Sequence, residues 1–269
     1  MSTFITEDWL RERYSLARAT EIHLPADSRL TPAAEELIKA RELSVKFMDE
    51  QGRVMVEAGD GERRPVHALT GSDRRAEQSC QLCHQPVARK SEALTHLDAQ
   101  TLVAKNDPRI RFRGGLDSAI ALAVWLQSEF DPAGKRVRLA QYLADIRSCL
   151  GNALRAEVSG EPMPPVAMGE ANDERLHALS HRPLALLGHD HIVPAAEHGA
   201  SVARLNLLRA RIRECELDAA ALYLDLDYQA SRPDILQALN RLSSAVYVLM
   251  LLVLLQERGQ PLPKLEDAR

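Results

Sequence analysis

The stretch HALTGSDRRAEQSCQLCHQP carries one histidine, His67, then eleven residues, a serine, and two of the chain's four cysteines, Cys80 and Cys83. Two thiolates and an imidazole form a ligand set that suits Zn(II) or Fe(II), and three protein ligands leave one coordination position open. Water, His84 or a further residue of the chain would fill that position. Two other chemistries fit the same residues. A redox dithiol would need a strand leading into Cys-x-x-Cys and a helix after it, whereas TGSDRRAEQS precedes it. Two reduced, buried thiols would behave as small hydrophobes, the reading that also suits the isolated Cys149 and Cys215.

A second group of reactive types lies in RLNLLRARIRECELDAAALYL. On a helical wheel Leu205, Leu208, Ile212, Cys215, Ala219 and Leu222 form one apolar stripe, and Arg209, Arg213 and Glu216 line its flank at i, i+4 and i+7. Spacing alone fits equally a solvated edge of weak ion pairs, worth about 0.2 to 0.5 kcal/mol each. In the next segment, RPDILQALNRLSSAVYVLMLLVLL, Asn240, Ser244 and Tyr247 fall on one line of an otherwise apolar helix. Buried polar groups without partners cost about 1 to 3 kcal/mol each, so this line faces either a ligand or polar groups of neighbouring helices. Asp117, in FRGGLDSAIALAVWLQ, needs a cation, and Arg209 is a candidate. His189-Asp190-His191, with His181 and His198 nearby, is either hydrogen-bonded loop structure or a set of ligands; no spacing there matches a tetrahedral zinc pattern.

The elements that must position these residues divide the chain. TEDWLRERYSLARAT reads as helix and EIHL as a short extended segment. LTPAAEELIKAREL is a helix with Thr31 as N-cap and Pro32 at its first position. LSVKFMD and RVMVEA read as a hairpin around Glu50-Gln51-Gly52. Residues 1–58 thus form a small α/β unit, 59–97 a polar connector carrying the His/Cys group, and 98–269 a helical domain. Its helices run over about 109 to 130, 136 to 158, 172 to 181, 200 to 229 and 233 to 257, a pattern of a four- or five-helix bundle. The expected class is mainly α.

Composition limits the partners. A net charge of -4 with dispersed Lys and Arg argues against nucleic acid, which requires a basic face. Aromatics at 4% and hydrophobics at 45% favour helices packed through Leu and Ala. The start of the chain has no apolar signal region, and the apolar run 245 to 255 is eleven residues, short of the about 20 a bilayer requires; a cytoplasmic protein with no membrane span is expected.

FRGGLDSAIALAVWL, LLRARIRECE and DILQALNRLSSAVYVLM resemble the helical core of the PduO-type ATP:cob(I)alamin adenosyltransferases. The ethanolamine-utilisation branch of that activity, the EutT type, is similar nearly end to end: FITEDWLRERYSLARATEIHLPADSRLTP and LGHDHIVPAAEHG match it, as does the His/Cys pattern. The resemblance implies that Arg209, Arg213 and Glu216 meet the phosphates and ribose of ATP, with Arg209 and Arg213 catalytic. Asn240 and Arg241 complete the ATP site, and Asp117 matches the helix acid that pairs with the first arginine in the relatives. His67, Cys80 and Cys83 would hold a divalent metal, Fe(II) or Zn(II), and Mg(II) would accompany ATP. His189 and His191 would belong to a lid or touch the corrinoid. Three departures stand out: no N-terminal glycine-rich phosphate loop is visible, Glu214-Cys215 replaces Arg-Ala, and Ser79 replaces the first cysteine of a Cys-Cys pair.

The implied chemistry is attack of cob(I)alamin on C5′ of ATP, arginines stabilising the departing polyphosphate. The implied product is adenosylcobalamin for ethanolamine ammonia-lyase. A reductase, a dimeric or trimeric assembly and association with a bacterial microcompartment follow from the same resemblance. A non-catalytic corrinoid or nucleotide carrier is the alternative.

Overall fold

The computed structural model describes residues 4–14, 21–50, 53–57, 62–66, 78–87, 89–131 and 133–266. The chain divides into two compact units, Met1–Ala104 and Lys105–Arg269.

The first unit is α/β. β1 (Phe4–Ile5) precedes α1 (Glu7–Arg13), whose N-cap Thr6 side chain accepts from the Trp9 backbone N–H. β2 (Glu21–Pro25), β3 (Arg29–Leu30), α2 (Pro32–Ala40), β4 (Ser44–Met48), β5 (Val54–Glu57) and β6 (Arg63–Pro65) follow. α2 starts where its sequence dictates: Thr31 accepts the Ala34 N–H, Pro32 has no N–H to satisfy, and Glu35 lies in the first turn. β2 and β4 are parallel with α2 as the crossover, and β4–β5 and β5–β6 are antiparallel, giving the sheet order β2-β4-β5-β6; β1 pairs with β3 separately. Ile5, Leu10, Ile22, Leu24, Ala34, Leu37 and Leu43 form the core of this layer.

The stretch 59–97 contributes structure to the same unit. β7 (Ser79–Cys80), β8 (Leu94–His96) and β9 (Thr101–Ala104) form a three-stranded sheet in the order β7-β9-β8. Its apolar cluster contains Val54, Cys80, Cys83, Val87, Leu94 and Leu102.

The second unit is helical: α3 (Pro108–Phe130), α4 (Val137–Ser159), α5 (Asp173–His181), α6 (Pro183–Leu187), a 3-10 turn over Ala196–His198, α7 (Gly199–Tyr223) and α8 (Pro233–Glu257). α8 is the centre, packing on α7, α4 and α5, while α3 packs on α7 and α4. From Ala245 to Leu255 only Tyr247 escapes full burial, and each buried Leu contributes about 1.5–3 kcal/mol. α8 is long and apolar enough to cross a membrane, yet 78% of its apolar window is buried inside the unit, as befits a core helix. α7 stops at Tyr223, short of the expected 229, because Asp225 Oδ1 accepts the N–H groups of Asp227 and Gln229 and turns the chain.

Charged contacts set the register. Arg111 pairs with Asp218 at 3.0 Å and Arg204 with Glu129 at 3.0 Å, so α3 and α7 run antiparallel. Gly115 permits their close approach: a Cβ there would stand 3.3 Å from Cys215 Sγ. The Cys215 thiol, inert in this contact, is pushed up to about 11, first by burial.

Candidate active site

Helices α3, α7 and α8 carry the residues the sequence singles out. The α3–α7 register places Asp117 at the level of the Arg209–Arg213 turn, and α7 lies along α8, which carries Asn240, Ser244 and Tyr247. Arg209 is half-buried beside Tyr247, with its guanidinium carbon 5.7 Å from the ring centroid. Its Nε is buried and makes no hydrogen bond. Burial, and then the neighbouring Arg213 cation, pulls Arg209 below the usual arginine range. An anion placed between these two cations would relieve both effects.

The charges around them are satisfied. Arg211 pairs with Glu214 at 2.5 Å, Arg232 with Asp234 at 2.9 Å and Arg136 with Glu257 at 2.7 Å. Asp218 and Arg204 are engaged by α3. By contrast, Asp117, Arg209, Arg213, Glu216 and the side chain of Asn240 make no ion pair or hydrogen bond with any described residue. The expected Asp117–Arg209 pair is therefore not made within one chain. Asp117 is exposed on α3, while Arg209 turns to the Tyr247 ring. Arg241 differs from its neighbour Asn240: its Nε lies 3.1 Å from Asp173 Oδ1, tying α8 to α5.

The His189–His191 segment is fastened to α8. Tyr247 Oη accepts the Ile192 N–H at 2.9 Å and lies 3.2 Å from His191 Nδ1. His191 Nε2 is 3.4 Å from the His181 carbonyl. His189 is buried, its Nδ1 2.8 Å from the Asp190 carbonyl and its Nε2 without a partner among the described residues. Sequence marked Tyr247 only as part of a polar line; its link to residue 192, far along the chain, had no local signal.

Cys80 and Cys83 sit on a hairpin turn. Cys80 N–H donates to Gln85 O at 3.0 Å and His84 N–H to Cys80 O at 2.7 Å, with His84 in the left-handed region at φ 56°. Both thiols are buried, and burial first, then the adjoining Cys80 thiol, raises Cys83 above the usual thiol value. Ser79 is exposed. His67 lies outside the described residues. Among the described residues no cluster of three or more His, Cys, Asp or Glu could hold a metal, so a complete centre is not formed by them alone.

Residues 88–253, which take in α3, α7 and most of α8, match the family described as cobalamin adenosyltransferase. Residues 4–76 match the corrinoid adenosyltransferase EutT N-terminal domain. The chain belongs to the EutT corrinoid adenosyltransferase family. It is 54% identical over 252 residues to corrinoid adenosyltransferase EutT of Escherichia coli K12, covering 94% of this chain and 92% of that one. The EutT of Salmonella typhimurium LT2 is 51% identical over the same length, 94% of this chain and 92% of the relative. Among solved structures, a variant PduO-type ATP:corrinoid adenosyltransferase from Lactobacillus reuteri complexed with cobalamin and ATP aligns with a TM-score of 0.48 at 17% identity, over 64% of this chain and 93% of the other.

Proposed function

We propose that the chain transfers the 5′-deoxyadenosyl group of ATP to the cobalt of cob(I)alamin, making adenosylcobalamin that supplies ethanolamine ammonia-lyase. The observation that carries this reading is the selective lack of partners: on helices whose other charges are paired, Asp117, Arg209, Arg213, Glu216 and Asn240 are left for a ligand or a second copy of the chain.

The cobalt lone pair forms a bond to C5′ as the C5′–O bond breaks; its electrons leave with the triphosphate oxygen, and cobalt rises from Co(I) to Co(III). Negative charge grows on the leaving oxygen. Arg209 and Arg213 would stabilise it, and the Tyr247 ring against Arg209 supports that role by limiting its reorganisation. Glu216 and Asn240 suit the ribose hydroxyls and the adenine edge, and Mg(II) would share the phosphate charge. The nucleophile carries no proton, so no general base is required. Arg241, bound to Asp173, keeps α8 in place beside the nucleotide.

A divalent metal, Fe(II) or Zn(II), suits the donors of the hairpin: two adjacent thiols on one turn with their backbone already fixed. Cys80, Cys83 and His67 would hold it and it would brace that turn. His189 and His191 would lie over the corrinoid or act as part of a lid. A dimer or trimer, a reductase partner and a microcompartment setting complete the reading, with 1–58, 59–97 and 98–269 as its working divisions.

The test is anaerobic incubation of the protein with chemically reduced cobalamin and ATP. A light-sensitive Co–C product is expected. Corrinoid binding without product would favour a carrier.

A further inference from the structure

Tyr247 touches two things at once. Its ring lies against the Arg209 guanidinium, and its hydroxyl holds the backbone of Ile192 and the ring of His191, which stacks on it at 6.1 Å with an interplanar angle of 25°. Among the described residues, Arg209 has no hydrogen bond or ion pair to orient it, so the Tyr247 face is what fixes its direction. The hydroxyl is in turn the principal tie between α8 and the 189–192 segment: it accepts one N–H, meets Nδ1 of His191 and lies 3.4 Å from the Ile192 carbonyl. His191 is braced behind by the His181 carbonyl at 3.4 Å. A shift of the segment would therefore move the ring, and a shift of the ring would release Arg209.

We propose that Tyr247 is a positioning residue for the transfer, holding Arg209 in its productive direction, and that the 189–192 segment braces it there. The inference rests on Arg209 acting on the nucleotide. The ring contributes a cation–π contact and the hydroxyl the brace, so the two parts separate by substitution. Tyr247→Phe keeps the ring and removes the brace; Tyr247→Leu removes both.

The test is a double-mutant cycle on the full chain. In the wild-type background Tyr247→Phe should lower kcat by about tenfold with little change in KM for ATP, as a misplaced catalytic group does, and Tyr247→Leu should lower it further. In an Arg209→Ala background Tyr247→Phe should have almost no added effect. In parallel, Tyr247→Phe should speed amide exchange at Ile192 while exchange in the α8 core stays unchanged, which shows the fold intact. Losses that multiply in the Arg209→Ala background, or unchanged exchange at Ile192, would overturn the proposal while leaving the ATP site standing. A wild-type rate for Arg209→Ala alone would instead overturn the site on which it rests.

Discussion

Ser79 and Cys80 are neighbours in β7 and face opposite sides of it: Cys80 is 2% exposed within an apolar cluster, and Ser79 lies on the outer face. The alternation of a strand makes this unavoidable once Cys80 points inward. A cysteine placed at position 79 would therefore start from the outer face, opposite the one on which Cys80 lies. On the proposed reading of a metal at the hairpin, Ser79→Cys should leave the metal content unchanged by elemental analysis, whereas Cys80→Ala or Cys83→Ala should lower it. A gain of metal in Ser79→Cys would show that position 79 is a ligand.

Among the described residues Glu157 is the most completely enclosed carboxylate of the helical unit, its side chain wholly buried on α4 between Arg109 and Arg113 of α3, with Arg109 Nε at 2.6 Å. Removing one member of a buried set leaves the others uncompensated. Glu157→Ala should cost about 3–5 kcal/mol in denaturant unfolding. A change below about 1 kcal/mol would mean the arginines find water at no loss.

Asp234 is held at about 2, first by its bond to Arg232 and then by the Met163 N–H at 2.8 Å, against an ordinary value of 3.8. A depressed acid stabilises the fold above its unfolded value, and that contribution is lost as pH falls through the folded value. Thermal unfolding should therefore show a loss of stability between pH 4 and 2 that Asp234→Asn lacks, and the variant should melt lower at pH 7. Parallel acid profiles for the two proteins would contradict the assignment.

Much of this was legible in the sequence, for reasons that differ by element. Thr31 and Pro32 announce α2, the apolar run after Ala245 announces a central helix, and the i, i+4, i+7 line on α7 lies on one face as its period requires. The sheet β7-β9-β8 was not legible, because its strands are only two to four residues long and β7 pairs in parallel with β9, Ser79 opposite Thr101, with β8 between them in the sequence. The burial of Val166 and Met168, between α4 and α5, had no periodic signal either; Gly169 beside them, at φ 55°, lies so near Tyr142 that a Cβ would stand 2.2 Å from its ring. At the candidate site the motif residues were named from sequence, but their lack of partners was not, since pairing depends on which helices pack.

The central claim is that the unpaired arginines of α7 act on ATP. The most direct measurement is the rate of Co–C bond formation from cob(I)alamin and saturating ATP for the wild type, Arg209→Ala and Arg213→Ala, each checked for unchanged helicity. The expected result is a wild-type protein that forms the product and variants slower by about tenfold or more. Wild-type rates in both variants would contradict it.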